Sequence, residues 1–202
     1  MIKVVVVNGR PGVGKTEFER LCAEQCNLFN RVNGFIPGNH LWVDITSTVD
    51  FVKEVARFCG WDGEKTLENR KFLSDLKDLL TQWDDVPYKM IVERIKSLPT
   101  TQDWLVFVDC REPAEIQKLK ERLNATTVII RREEVEGNEV SNHADAQVFN
   151  YAYDVAILND SDIIHLEDKA RKFIEYMKED EQNETGTGTF TERENSVSLV
   201  RK

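Results

Sequence analysis

No apolar run in this chain approaches the roughly 18–20 residues that a helix needs to cross a bilayer, so a membrane-spanning helix is not expected. Cysteine is scarce. The four present (Cys22, Cys26, Cys59 and Cys110) make neither a Cys-x-x-Cys pair nor an even framework. A disulfide scaffold is therefore excluded, and reduced core thiols are the expectation. Cys22 and Cys26 share a helix face, but a zinc site would need two further ligands beside them. Basic residues are in deficit, with 27 Lys plus Arg against 36 Asp plus Glu and a net charge of −9. That balance argues against non-specific nucleic-acid binding, which needs a basic footprint to displace counterions, yet it leaves room for a small positive phosphate site. The opening MIKVVVVNGR has a short apolar core with no small-residue cleavage site after it, and does not read as a signal peptide.

What is present is an alternation of two periodicities. Ile2 to Val7 and Trp104 to Val108 are apolar runs of the kind buried on both faces of a parallel sheet. Leu41 to Ile45, Thr127 to Ile130 and Val155 to Leu158 bring the expected strands to five. Helical spacing marks Thr16 to Cys26, Val49 to Phe58, Thr66 to Trp83, Tyr88 to Ser97, Glu112 to Leu123, Asn142 to Tyr151 and Ile163 to Met177. Asn27 to His40 reads as a loop. The alternation predicts an α/β domain over residues 1–178, a five-stranded parallel sheet with helices on both faces. Residues 179–202, poor in apolar side chains, read as a mobile acidic and polar tail. Trp61, flanked by Gly60, Asp62 and Gly63, is the tryptophan expected to be exposed, with core packing assigned to Trp42, Trp83 and Trp104.

Gly9-Arg10-Pro11-Gly12-Val13-Gly14-Lys15-Thr16 matches GxxxxGK[ST] without a gap, directly after the first strand and opening a helix. Glycines let successive backbone N–H groups converge on phosphate oxygens, and the helix N-terminus adds its dipole. Lys15 then neutralises charge between the β- and γ-phosphates, and the Thr16 hydroxyl can ligate Mg²⁺. The octapeptide Gly9 to Thr16 thus predicts a P-loop NTPase fold that binds ATP and Mg²⁺.

Asp109, ending the third strand, is the expected carboxylate partner of the cation; the bland alternative is a cap on the next helix. No acidic residue follows Asp109 directly and no NKxD guanine-reading box is present, which favours transfer to a bound acceptor over transfer to water. Such a transfer needs cations around the loop. Arg111, Arg131 and Arg132 lie past carboxyl ends of strands, where open α/β sheets bind ligands, and are the catalytic candidates beside Lys15. Lys53 and Arg70 are further basic candidates. Asp44, read as ending the second strand, would orient a hydroxyl acceptor if the substrate were sugar-like.

These segments resemble a family. The P-loop, Val108-Asp109-Cys110-Arg111-Glu112-Pro113, Ser141-Asn142-His143-Ala144-Asp145 and Asp154-Val155-Ala156-Ile157-Leu158-Asn159-Asp160 are similar to the phage-type deoxynucleoside monophosphate kinases. These belong to the wider P-loop nucleoside monophosphate kinase group, and the resemblance spans about residues 1–178. It implies a helical monophosphate-binding insertion (about 46–100), a short lid (about 131–150), and ATP-dependent phosphorylation of a deoxynucleoside monophosphate to the diphosphate. It places Arg111 with Arg131 or Arg132 on the transferring group, Lys53 and Arg70 in the monophosphate region, and His143 and Asp145 in the lid helix. The lid segment departs from the family in being short and carrying four glutamates. The implied partners are small-molecule nucleotides, with no nucleic acid and no membrane, in a cytoplasm (bacterial or virus-infected); a homodimer is left open. Two alternatives stand beside this reading. One is a P-loop kinase of another small acceptor, such as dephospho-coenzyme A or a sugar acid. The other is a nucleotide-dependent switch, for which Ile45 to Asp50 would supply a γ-phosphate-sensing loop.

Overall fold

The computed structural model describes residues 1–33, 40–64, 66–136, 147–183 and 197–199. Strand β1 (Ile2–Asn8) leads through the glycine loop into helix α1 (Lys15–Asn33). Strand β2 (Leu41–Ser47) is followed by three helices, α2 (Asp50–Phe58), α3 (Leu67–Asp84) and α4 (Val86–Ser97). Then come β3 (Asp103–Asp109), α5 (Pro113–Leu123), β4 (Thr126–Arg131), the short α6 (Glu133–Glu136), β5 (Val155–Leu158), α7 (Ile163–Asn183) and β6 (Val197–Leu199). The strands lie in the order β2-β3-β1-β4-β5-β6. The first five are parallel and β6 runs antiparallel against β5, pairing Val155 with Leu199 and Ile157 with Val197.

The period of two in a strand explains why the apolar runs are continuous. Val5 and Val7 of β1, with Leu105 and Phe107 of β3, face a core completed by Phe18, Leu21 and Cys22 of α1 and Phe173 of α7. Val4, Val6, Val106 and Val108 face the opposite core, closed by Ile91 of α4 and by Ile116 and Leu119 of α5. Both faces are therefore covered, and a polar residue on either would be left without water. The order 2-3-1-4-5, with a glycine loop between β1 and α1, is the P-loop NTPase fold.

Several boundaries differ from the sequence reading. Helix α1 runs seven residues past Cys26, because nothing before Gly34 breaks the chain and its outer turns need no apolar face. The chain is also structured past 178: α7 continues to Asn183, and Val197–Leu199 covers the free edge of β5. An exposed strand edge is a template for pairing, which gives this short segment its place. Of the helix expected at 142–151, residues 142–146 lie outside the described residues, and Val148–Asn150 is a single 3-10 turn. His143 and Asp145 accordingly receive no placement. Among the described residues no helix is long and apolar enough to cross a membrane.

The segment between β2 and β3 is helical, and two ion pairs tie it to α5. Lys77 of α3 meets Glu115 at 2.7 Å and Lys118 meets Asp85 at 2.8 Å. Lys77 is the one buried residue of α3, while Leu67, Leu79 and Trp83 of the same helix face solvent. The tryptophan expectation is thus reversed. Trp83 is 82% exposed, whereas Trp61 is half-buried, donating to the Glu64 carbonyl with Arg57 packed over its ring. The four cysteines are free thiols, three of them buried, in line with the reduced-core expectation.

Candidate active site

The loop is held from three directions. Its first residue, Gly9, has φ +150°, and a Cβ there would meet the backbone oxygen of Ile130 at 2.5 Å. Gly14 has φ +96°, and its Cβ would meet the Asn159 amide nitrogen at 2.6 Å. Two buried asparagines finish the frame. Asn8 accepts from the Gly9 N–H at 2.7 Å and donates to the Tyr153 hydroxyl at 2.6 Å and the Arg111 carbonyl at 3.2 Å. Asn159 donates to the Val13 carbonyl at 2.9 Å, and its own N–H donates to the Arg131 carbonyl at 2.7 Å. These bonds link the loop to the ends of β3, β4 and β5. Neither asparagine was a site candidate in the sequence, although Asn159 lies within the last of the resembling segments. Lys15 curls over the mouth, donating to the Gly9 carbonyl at 2.7 Å and the Arg10 carbonyl at 3.1 Å.

Beneath the loop lies Asp109. Its backbone carbonyl accepts from the Thr48 N–H at 3.1 Å, which pins the β2–α2 connection against the end of β3. Its Oδ1 is buried and accepts no hydrogen bond. The N-cap position of α5 is Glu112, three residues further on, so Asp109 does not cap that helix. Burial raises the Asp109 carboxyl above its ordinary value; the charges of Lys15 and Arg111 oppose the rise, Asp50 adds to it and Lys53 opposes it. An orphaned buried carboxylate oxygen and the exposed Thr16 hydroxyl at the mouth of a phosphate loop form a donor set that fits Mg²⁺. Among the described residues no three His, Cys, Asp or Glu side chains form a metal cage. A cation here would complete its shell with phosphate oxygens and water, as Mg²⁺ ordinarily does.

A second carboxylate was missed by the sequence reading. Glu19 of α1 is 1% exposed and its Oε1 has no hydrogen-bond partner. Burial, reinforced by Asp109 and opposed by Lys15, pushes its carboxyl from 4.5 to about 8. The folded, ligand-free protein therefore keeps this proton at pH values where the unfolded chain has released it. Between pH 4.5 and about 8 the native state binds more protons, so stability falls as pH rises and levels off above that window. Wild type should lose stability relative to Glu19→Gln across this window. Urea midpoints of both proteins at pH 5 and pH 8.5 check it; a constant difference between them refutes it.

The cationic candidates separate in space. Arg111 is half-buried beside Asp109 and bears on its charge, as does Lys53 from the first turn of α2, where it also meets Asp50 at 3.2 Å. Arg131 sits over the Phe149 ring at 5.2 Å from its centroid, and Arg10 of the loop sits over the same ring at the same distance. Phe149, a further residue the sequence reading did not single out, gathers two guanidinium groups at the loop's rim. Arg132 instead turns to Glu134, at 2.7 Å, so the adjacent pair does not act as one clamp. Arg70 is exposed in the first turn of α3, and no described contact brings it to the loop. Asp44 is a correction. The strand continues to Ser47, which leaves Asp44 in mid-strand opposite Val106, where Arg94 grips it through two 2.7 Å bonds. A depression lined by Asn27, Asn30, Arg31, His40 and Trp42 lies at the amino end of β2, the far end of the sheet from this site.

Sheet order and glycine loop together are those of the P-loop NTPase fold. No family model and no curated protein matches the chain. Among solved structures it is similar to a gluconokinase from Sinorhizobium meliloti 1021, at 15% identity over 91% of this chain and 98% of the other, with a TM-score of 0.48. A shikimate kinase from Bacteroides thetaiotaomicron is 12% identical over 87% and 98%, with a TM-score of 0.43. A thymidylate kinase from Ehrlichia chaffeensis is 15% identical over 86% and 98%, again with a TM-score of 0.43.

Proposed function

We propose that the protein is a P-loop kinase that transfers the γ-phosphoryl group of ATP to a deoxynucleoside monophosphate. The observation that carries this reading is the gathering of Lys15, Arg111 and Lys53 around the half-buried Asp109 at the carboxyl ends of β1 and β3. Transfer between two phosphate-bearing molecules demands such a collection of positive charge, because both substrates repel each other. Backbone N–H groups of the loop would hold the donor phosphates, with Lys15 leaving its two carbonyl partners to reach them. Arg111 and Arg131 would offset charge on the transferring group, and Lys53 would hold the acceptor. Thr16 and Asp109 would hold Mg²⁺, which supplies further neutralisation of phosphate charge. A phosphate acceptor oxygen is already nucleophilic and needs no base.

Two findings weigh against the other readings. Asp44, the residue that would have served a hydroxyl acceptor, is engaged by Arg94 and lies below the strand ends. The switch reading needed a loop at Ile45–Asp50, yet β2 and α2 leave only Thr48 and Val49 between them, and Thr48 is tied to Asp109. Asp44→Asn should leave turnover within about threefold of wild type and cost about 1 kcal/mol of stability, since Arg94 is half-exposed. A tenfold loss of turnover would return Asp44 to the acceptor site. The reading itself is tested by coupled ADP release with ATP, Mg²⁺ and a panel of deoxy- and ribonucleoside monophosphates. Release that depends on one or a few deoxynucleotides is expected. Equal release without any acceptor would sink the transferase reading.

A further inference from the structure

We propose that Glu19 is a second carboxylate of the divalent-cation site, acting with Thr16 and Asp109 under the phosphate loop. The inference rests on the nucleotide-and-cation part of the reading above and not on the identity of the acceptor. Glu19 follows Lys15 by four residues and Thr16 by three, which places all three on one face of α1. Along the same face follow Cys22 and Cys26, both buried in the core, so the helix spends a core position on a carboxylate. Such a group is expensive to bury unless something pairs with it. Nothing described hydrogen-bonds its Oε1, and the Lys15 charge opposes the cost of burial without bonding that oxygen.

Asp109 presents the same anomaly from the opposite side, with Oδ1 buried and without a donor. The charge of Asp109 bears on Glu19, so the two carboxyl groups, ninety residues apart in sequence, share one neighbourhood. Two buried acidic oxygens without hydrogen-bond donors next to the glycine loop are resolved by one event, the arrival of a divalent cation. A single cation would give both oxygens a partner. Hydrophobic packing alone accounts for neither, since an apolar residue of the same volume would fill the Glu19 position at lower cost.

The test uses Mn²⁺ as the probe and binding as the readout. The full chain with ADP is titrated with Mn²⁺ and free cation is followed by electron paramagnetic resonance, for wild type, Glu19→Gln and Glu19→Met. ADP affinity is measured in parallel with EDTA present. Both variants are expected to bind Mn²⁺ about tenfold or more weakly, with cation-free ADP affinity unchanged. Glu19→Met is also expected to fold with thermal stability at or above that of wild type, so a failure of the Gln variant to fold leaves the test intact. Unchanged Mn²⁺ affinity in either folded variant overturns this inference alone. Wild type that binds ADP without any contribution from Mn²⁺ overturns it together with the proposed function.

Discussion

Lys15→Ala is expected to lower the rate of phosphoryl transfer by about a thousandfold or more while leaving the fold standing. In the ligand-free protein the ammonium group is held by two neutral carbonyl oxygens at 2.7 and 3.1 Å. Phosphate oxygens carry full negative charge, so exchanging partners strengthens the interaction, and strengthens it further as charge moves in the transition state. The variant loses that gain at the place where charge develops. Its structural loss is smaller: two carbonyls at the open mouth of the loop pass to water, at a cost of about 1 kcal/mol each. Steady-state rates with the coupled assay, beside thermal unfolding, separate the two effects. Retention of a tenth of wild-type activity would show that Lys15 does not serve the phosphates. Lys15→Arg should not rescue, because a planar fork cannot reproduce a compact charge inside a loop this tight.

Gly9→Ala should be the most destabilising single-methyl addition in the site, by about 3 kcal/mol or more. The obstacle is backbone. The new Cβ would lie 2.5 Å from the carbonyl oxygen of Ile130, in the strand adjacent to β1, and 2.9 Å from a methyl of Val13. A flexible side chain could swing aside, but a β-sheet carbonyl moves only with its strand. Relief would therefore part β1 from β4 or push the loop outward, and the second route breaks the Asn8 bond to the Gly9 N–H. Nucleotide affinity should fall with stability for that reason. Urea denaturation with and without ADP checks both; a loss below about 1 kcal/mol would mean that the loop does not press against β4.

The loop itself was fully legible in the sequence, because its chemistry is local. Eight consecutive residues carry the spacing, the glycines, the lysine and the hydroxyl, and the strand and helix on either side declare themselves by period. Asp109 was legible for a related reason, as the polar end of an apolar run. Glu19 left one faint trace, a carboxylate on the same helical stripe as Cys22 and Cys26. The sequence reading did not single it out, because its counterpart lies on a strand ninety positions away. Asp44 misled in the opposite sense: an acidic residue in a short β-branched run resembles a strand end until the strand is seen to continue.

What sequence alone determined was therefore much of what depends on near neighbours: the five parallel strands, the glycine loop, and the acidic residue that ends β3. What only the tertiary structure decided was which distant charges meet. Arg131 joins Arg10 at Phe149 while Arg132 turns to Glu134, and Arg94 claims Asp44 from fifty residues away. Hydrophobic period is set by bonds between successive residues and shows within one or two turns of chain. Electrostatic pairing acts through space, between groups that share a neighbourhood only after the sheet has closed its order.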